Sequence, residues 1–209
     1  MHSTFQYQKN PNFPNRYISP KSLQNFLQEN LSDYITLMGT STLGEPIYQF
    51  SYGSGDIKVL AWSQMHGNES NSTHCMLDLW YSLESQPQLK EKLFQNISLD
   101  FIFMLNPDGS KVWSRRNSLD IDMNRDYLQN ASCEMKLLKE VAFSKKYDYA
   151  LNLHEQRTIF STDGKNPATL SFLAPSEDYD RTVTENRKKS MAVIASIYNV
   201  LRMQIPNQI

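Results

Sequence analysis

The strongest constraint on the fold of this chain is a set of three nearly continuous apolar runs, each followed by polar residues. The runs are IKVLAW (57–62), LDFIFML (99–105) and YALNL (149–153). Short apolar runs of this kind are typical of strands that are buried on both faces. Segments with helical periodicity alternate with them. We therefore predict an α/β fold, with a mostly parallel or mixed sheet and helices on both of its faces.

The remaining elements are predicted from capping residues, turns and periodicity. A helix should begin at Pro20 with Ser19 as its N-cap, and two strands should meet near Gly44. Further helices are predicted at 70–85, 87–95, 132–146 and 182–203, and a further strand at 168–176. The strand at 149–153 is expected to be buried.

The charge balance gives no sign of an anionic partner. The net charge is −1 and the pI is near 6.4, so we expect neither nucleic acid nor a membrane as a partner. No apolar run approaches the roughly 18 residues of a membrane-spanning helix, and the polar N-terminal stretch has no signal-peptide pattern. We therefore expect a soluble cytoplasmic protein, with secretion as the alternative if a leader has been removed.

Polar side chains that could bind a metal or take part in catalysis follow each of the three apolar runs. His66 and Glu69 follow the first run, Asn106 follows the second, and His154 and Glu155 follow the third. In open α/β sheets, ligands bind beyond the carboxyl ends of the strands. The sequence therefore predicts that these residues gather at one edge of the sheet.

His66 and Glu69, three residues apart, are candidate metal ligands if the chain turns at Gly67. His154 is a candidate third ligand from a distant part of the chain. Three ligands of histidine and carboxylate type leave one zinc position open for water. The alternative is a turn with a solvated Glu69 and a structural His154. His74 lies within a predicted helix at a poor spacing for a ligand.

The irregular stretch 109–130 is rich in arginine and asparagine. Arg115, Arg116, Asn124 and Arg125 are close together there. Arginine binds carboxylates at two points, and asparagine adds a neutral donor and acceptor. Beside a metal-bound water, such a clamp would favour hydrolysis next to a free carboxyl group, as in trimming a peptide from its C-terminus. The alternative is a solvated basic loop.

Taken in order, four blocks of the sequence resemble the zinc carboxypeptidases related to carboxypeptidase A. The blocks are MHGNES, NPDG, RRNSLDIDMNRD and LNLHEQ. That family shows a strand running into H-x-x-E, an N-P-D-G turn, a segment R-x-N-x-x-x-x-D-x-N-R, and a strand that ends in a histidine ligand. The resemblance runs from His66 to His154 and implies the fold of that family.

The resemblance also implies a role for each matching residue. The ligands of one zinc ion would be His66, Glu69 and His154. Asn124 and Arg125 match the pair that holds the terminal carboxylate of the substrate. Arg115 matches the arginine that polarises the scissile carbonyl, whereas Arg116 is expected to support the loop or to be exposed. Asp122 is a candidate acceptor for the second ring N–H of a ligand histidine.

The function implied by the resemblance is that of a zinc metallocarboxypeptidase, which removes the C-terminal amino acid from peptides. Its partner would be a peptide or an amino-acid conjugate with a free carboxylate. One alternative is a zinc-dependent deacylase or amidohydrolase of small N-acyl amino acids. Another is a non-catalytic, carboxypeptidase-like binding module that retains the zinc and the clamp.

The sequence departs from the family at the general base. The family places a glutamate on a strand well downstream of the third ligand, and no apolar strand ending in glutamate follows His154. We therefore expect residues 1–209 to form a single catalytic domain that lacks its C-terminal part. The competing interpretation is a complete chain with Glu155 as the base, although neighbouring side chains on a strand point to opposite faces.

Overall fold

The computed structural model describes residues 5–155 and 169–205. The chain divides into two compact units, residues 1–155 and residues 156–209. No helix within the described ranges is both long enough and apolar enough to cross a membrane.

The first unit is built on a mixed sheet of five strands. The strands are β1 (Ile35–Thr40), β2 (Pro46–Tyr52), β3 (Ile57–Trp62), β4 (Ile97–Phe103) and β5 (Tyr149–Asn152). Their order is β1-β2-β4-β3-β5, in which β3 is parallel to both β4 and β5. The other two pairs, β1 with β2 and β2 with β4, are antiparallel. The three apolar runs therefore form adjacent parallel strands whose carboxyl ends meet at one edge.

Five helices accompany the sheet in the described residues of this unit. They are α1 (Pro20–Asn30), α2 (Asn71–Glu84), α3 (Pro87–Phe94), α4 (Pro107–Lys111) and α5 (Cys133–Ser144). Two of them begin where the capping residues predict, because Ser19 Oγ accepts from Ser22 N and Ser132 Oγ accepts from Met135 N. Short 3₁₀ turns lie at Ser32–Tyr34 and Met123–Arg125.

Apolar side chains pack on both faces of the sheet. On one face, α1, α2 and α3 cover an aromatic cluster in which the ring centroids of Phe50 and Trp80 are 4.9 Å apart. On the other face, Met135 and Leu138 of α5 belong to one cluster with Leu60 of β3. Each fully buried side chain of this kind contributes roughly 1.5–3 kcal/mol. The predicted mixed sheet with helices on both faces is confirmed.

The predicted burial of β5 is wrong. All four of its residues are exposed, and Tyr149 and Leu151 are 38% and 40% exposed. Within the part of the chain that the structure describes, β5 pairs with β3 alone and lies at the edge of the sheet. The apolar run predicts the strand correctly, but its position within the sheet depends on pairing that the run does not encode.

The second unit contains one helix, α6 (Glu185–Leu201), in its described residues. Thr184 caps it by accepting from Arg187 N at 3.2 Å, which confirms the predicted helix with slightly narrower bounds. The predicted strand at 168–176 is wrong for residues 169–176, which form no regular structure. A strand needs a neighbour for its backbone hydrogen bonds, and an apolar run cannot show whether one is present.

Candidate metal centre

Strands β3 and β4 leave the sheet through strained residues just before the site. Gln64 has a φ of 49° and Met104 a φ of 46°, left-handed values that cost a residue other than glycine about 1–2 kcal/mol. Beyond the regular strands, Asn106 N still donates to Gln64 O at 3.0 Å. This bond holds the segment that carries Asn106 beside the segment that carries His66. Strain of this kind clusters at functional sites.

A close approach of two backbones explains the glycine after His66. A Cβ atom at Gly67 would lie 2.2 Å from the carbonyl carbon of Gly109 and 2.2 Å from the backbone nitrogen of Ser110. No side chain fits there, so α4 packs directly on this turn. Gly67 was expected to permit the turn between His66 and Glu69. The structure shows instead that its φ lies outside the left-handed region and that contact with α4 requires glycine.

Three side chains converge at the carboxyl ends of β3 and β5. His66 and Glu69 share a tight turn in which Glu69 N donates to His66 O at 3.1 Å. Leu153 N donates to Trp62 O at 3.1 Å, which brings His154 beside this turn. The nitrogen and oxygen atoms that the three residues could offer to a metal all lie within 4.8 Å of one another. We call His66, Glu69 and His154 the trio.

The carboxylate of Glu69 lies at the centre of the trio. It accepts hydrogen bonds from Nδ1 of His66 and Nδ1 of His154, both at 2.8 Å, and from the backbone N–H of Glu155 at 3.2 Å. Burial disfavours its charged form, but the bonds from His154 and His66 outweigh burial and lower the pKa of Glu69 to about 2. Glu69 is therefore ionised at neutral pH, as an anionic metal ligand must be.

Asp122 holds His66 from the opposite edge of the ring. Nε2 of His66 lies 3.1 Å from Oδ1 of Asp122, and the same oxygen accepts from Asn124 N at 3.0 Å. Burial raises the pKa of Asp122, but the bond with His66 and the charge of Arg115 leave it below its usual value. If a metal displaced the Nδ1 proton that His66 donates to Glu69, an ionised Asp122 would keep the remaining ring proton on Nε2 and leave Nδ1 to bind the metal.

Arg115 lies between the two carboxylates of the site. Its Nη1 donates to Oε1 of Glu69 at 3.2 Å, and its Nε donates to Oδ2 of Asp122 at 3.2 Å. The side chain is 46% exposed. A guanidinium held in this place can stabilise negative charge that develops on a substrate oxygen beside the trio.

Asn124 and Arg125 extend the site beyond His154. The amide nitrogen of Asn124 lies 3.2 Å from Nε2 of His154, and its Oδ1 accepts from Asn152 Nδ2 at 3.2 Å. The guanidinium of Arg125 is exposed, and its hydrogen bond within the described residues is a long one, 3.5 Å to the backbone oxygen of Asn124. A guanidinium that is exposed and forms one long hydrogen bond among the described residues is suited to binding a ligand carboxylate.

The carboxylate of Glu155, the acid next to His154, already has partners. Its carboxylate forms an ion pair with Arg16 and accepts from Asn71 N at 3.3 Å, and its side chain is only 11% exposed. Each of its two oxygens therefore has a partner within the described residues, which disfavours Glu155 as a general base. The acids of the second unit, Glu177, Asp178, Asp180 and Glu185, are exposed within that unit.

The remaining candidates have local roles. Arg116 donates to the backbone oxygen of Asp120 at 2.9 Å, so it supports the loop as expected. Nε2 of His74 lies 3.1 Å from the backbone oxygen of Arg16. His2 lies outside the described residues.

Asn106 of the NPDG block joins the two halves of the site. It is fully buried, its Oδ1 accepts from Gly109 N at 2.9 Å, and its Nδ2 donates to the backbone oxygens of Met65 and Arg115, both at 3.4 Å. The backbone oxygens of Met65 and Arg115 therefore accept from the same side-chain amide.

Sequence reasoning missed two residues of the site. Asn152 is two positions before His154, and residues at this spacing share a face of a strand, so alternation along β5 was a usable signal. Arg16 is 139 positions from Glu155, and no spacing rule connects them.

Comparison with known proteins supports the resemblance. A match to the family model described as zinc carboxypeptidase spans residues 22–162. Carboxypeptidase 2 of Trichophyton rubrum is 29% identical over 100 residues, which are 47% of this chain and 19% of that protein.

Two solved structures show the same fold at low sequence identity. A metallo-carboxypeptidase from Burkholderia cenocepacia has a TM-score of 0.66 and 18% identity, covering 92% of this chain and 52% of its own. A metallo-carboxypeptidase from Pseudomonas aeruginosa, in complex with (2-guanidinoethylmercapto)succinic acid, has a TM-score of 0.57 and 18% identity, covering 67% and 40%. The chain thus spans about half the length of the Burkholderia protein.

Proposed function

Since the chain belongs to the zinc carboxypeptidase family, we propose that it is a zinc-dependent metallocarboxypeptidase that removes the C-terminal amino acid from peptides. The observation that carries this proposal is the convergence of His66, Glu69 and His154, whose potential ligand atoms lie within 4.8 Å of one another. We propose both the hydrolysis and the peptide substrate for this chain, since it spans only part of the relatives that it matches.

The trio fits a zinc ion by its chemistry and its spacing. Two imidazole nitrogens and one ionised carboxylate are a ligand set of catalytic zinc, whose bonds to such atoms measure about 2.0–2.2 Å. Both histidines present Nδ1 to the same carboxylate, that of Glu69, and Asp122 accepts from the other nitrogen of His66. A zinc ion bound there would acidify a water molecule and polarise a carbonyl group.

The other residues of the site would bind and orient the peptide. Arg125 and Asn124 would hold its terminal carboxylate, which fixes the scissile bond beside the trio. Arg115 would stabilise the negative charge that develops on the carbonyl oxygen. The Pseudomonas aeruginosa protein is in complex with a succinic acid derivative, a carboxylate compound, which supports the proposal that this chain binds a carboxylate.

A second candidate function is a binding module that holds zinc and a peptide carboxylate without hydrolysis. The observation that favours it is the pairing of Glu155 with Arg16 and with Asn71 N. Because both oxygens of Glu155 already have hydrogen-bond partners, this pairing disfavours Glu155 as a general base.

Metal analysis and a peptidase assay test both proposals on the full chain. We expect one zinc ion per chain after dialysis, and loss of this zinc in His66→Ala and His154→Ala. His74→Ala is the matched control, since His74 lies close by on α2 but outside the trio. Release of hippurate and the free C-terminal amino acid from a hippuryl peptide would support the peptidase. Zinc binding without hydrolysis would support the binding module. A chain that binds no zinc would contradict both.

A further inference from the structure

We propose that Arg16, Tyr17 and Trp113 form a subsite for an aromatic side chain on the amino side of the scissile bond. We call these three residues the aromatic wall. The proposal rests on the peptidase function proposed above, and it names the class of peptide that this site would prefer. None of the three residues belongs to the trio or to the carboxylate clamp, by which we mean Asn124 and Arg125.

The three side chains form one connected surface. The ring centroids of Tyr17 and Trp113 are 5.6 Å apart in an edge-to-face arrangement. The guanidinium carbon of Arg16 lies 5.5 Å from the centroid of the Trp113 ring, within the range of a cation–π contact. Aromatic rings and arginine are the side chains that most often dominate binding at protein surfaces.

The wall remains open to solvent although its members touch one another. Tyr17 is 44% exposed, Trp113 is 37% exposed and the side chain of Arg16 is 64% exposed. Trp113 also has a φ of 54°, a left-handed conformation that a bulky residue rarely adopts. Backbone strain clusters at ligand-binding sites, so a strained and exposed Trp113 is consistent with a ring that binds a ligand.

Short contacts place the wall beside the trio. Arg16 pairs with the carboxylate of Glu155, and the backbone N–H of the same Glu155 donates to Glu69 at 3.2 Å. The backbone oxygen of Arg16 also accepts from Ser70 Oγ at 2.7 Å, directly after Glu69 in the chain. Trp113 is two residues before Arg115. The wall is therefore anchored to both sides of the reacting centre.

The wall and the carboxylate clamp lie on different sides of His154. Nε2 of His154 faces Asn124, whereas its Nδ1 faces Glu69, from which the contacts lead to Glu155 and Arg16. These two nitrogens lie on different edges of the ring. A peptide whose terminal carboxylate is held by the clamp therefore extends toward the wall with the residues before its scissile bond.

Paired peptides that differ only at this position test the subsite. Acetyl-Phe-Leu and acetyl-Ala-Leu would be titrated into the zinc-loaded full chain by calorimetry, with the ratio of kcat/KM values replacing the ratio of Kd values if hydrolysis occurs. We expect tighter binding of the phenylalanine peptide by about fivefold to tenfold, which lies within the range that one aromatic contact contributes. Trp113→Ala and Tyr17→Ala should reduce this ratio below about twofold, with the alanine peptide nearly unaffected.

Three controls separate the subsite from a folding effect. Trp113→Phe keeps a ring and should retain most of the preference, whereas Trp113→Leu keeps apolar volume without the ring and should lose it. Leu119→Ala, at a residue of the same loop that is 54% exposed and outside the wall, should leave the preference unchanged. Zinc content and thermal midpoint identify variants that fail to fold.

Each outcome decides the proposal. Equal binding of both peptides by the wild-type chain, or an unchanged preference in folded Trp113→Ala, would overturn the subsite alone. Zinc binding without affinity for either peptide would overturn both the subsite and the proposed carboxylate recognition. Absence of zinc would show that the proposed function itself is wrong.

Discussion

Nδ1 of His154 lies 2.8 Å from Oε2 of Glu69, although 85 residues separate the two in the chain. Nδ1 of His66 lies 2.8 Å from Oε1, the other oxygen of the same carboxylate. Each oxygen of Glu69 therefore faces one imidazole. The parallel pairing of β3 with β5 produces this arrangement, because it brings the end of β5 beside the turn after β3.

Replacement of Asp122 by asparagine should weaken zinc binding without unfolding the chain. The carboxylate holds the Nε2 proton of His66 and pairs with Arg115, and loss of such an outer partner costs roughly 10–100-fold in metal affinity. Competition with a chromophoric chelator would measure the change. Asp120→Asn is the control, because the side chain of Asp120 is 87% exposed and its ion pair among the described residues is with Arg116. Equal affinities of the two variants would contradict the orienting role.

Gly67→Ala should destabilise the chain by about 2–3 kcal/mol, because the new Cβ would overlap backbone atoms of α4 at 2.2 Å. It should also weaken zinc binding, since the same turn carries His66. Gly44→Ala is the matched control, because Gly44 has a φ of +87° but no atom within 4 Å of a new Cβ. Backbone strain alone should cost that variant about 1 kcal/mol. Urea unfolding of both would show whether the close approach matters.

Glu155→Gln should retain one zinc ion and lower any hydrolysis by less than about tenfold. The reason is that its carboxylate is held by Arg16 and Asn71 N, whereas loss of a true general base typically costs 10²–10⁴-fold. Initial rates with a hippuryl peptide at matched zinc loading measure the effect. A loss of a hundredfold or more with intact zinc would revive Glu155 as the base.

Asp100 should make the stability of the first unit dependent on acid pH. Its side chain is 4% exposed and lies 2.6 Å from Lys145 Nζ, and Ser51 Oγ and Tyr147 Oη each donate to it at 2.6 Å. Burial raises the pKa of Asp100, but these three contacts outweigh burial and leave it below its usual value. The stabilisation is therefore fully present above the unfolded pKa of about 3.9 and is lost as the pH falls through the lower folded pKa.

Asp100→Asn tests this dependence by urea unfolding between pH 7 and pH 3. At neutral pH we expect a loss of about 1–3 kcal/mol, since buried partners lose a charged acceptor. The difference from the wild-type chain should be constant above about pH 5 and should shrink below about pH 4. Asp33→Asn, at an exposed position, corrects for the general effect of removing one negative charge. A difference that stays constant down to pH 3 would contradict the assignment.

Much of the fold was predictable because its signals are local. The apolar runs of β3 and β4, the caps Ser19 and Ser132, and the periodicity of α2 and α6 each act within a few residues. The same signals failed where pairing decides the outcome. The run at 168–176 has strand-like composition, yet residues 169–176 form no strand, and β5 lies exposed at the edge of the sheet.

The sequence by itself determined which residue types could carry the chemistry and in which blocks they occur. Only the tertiary structure decided that His154 forms a hydrogen bond with Glu69 and that Arg16 forms an ion pair with Glu155. It also decided that Gly67 must lack a side chain, because α4 packs on it. The physical reason is range. Capping, turn formation and hydrophobic periodicity depend on neighbours along the chain, whereas an ion pair or a backbone contact depends on which distant strand or helix has been brought alongside.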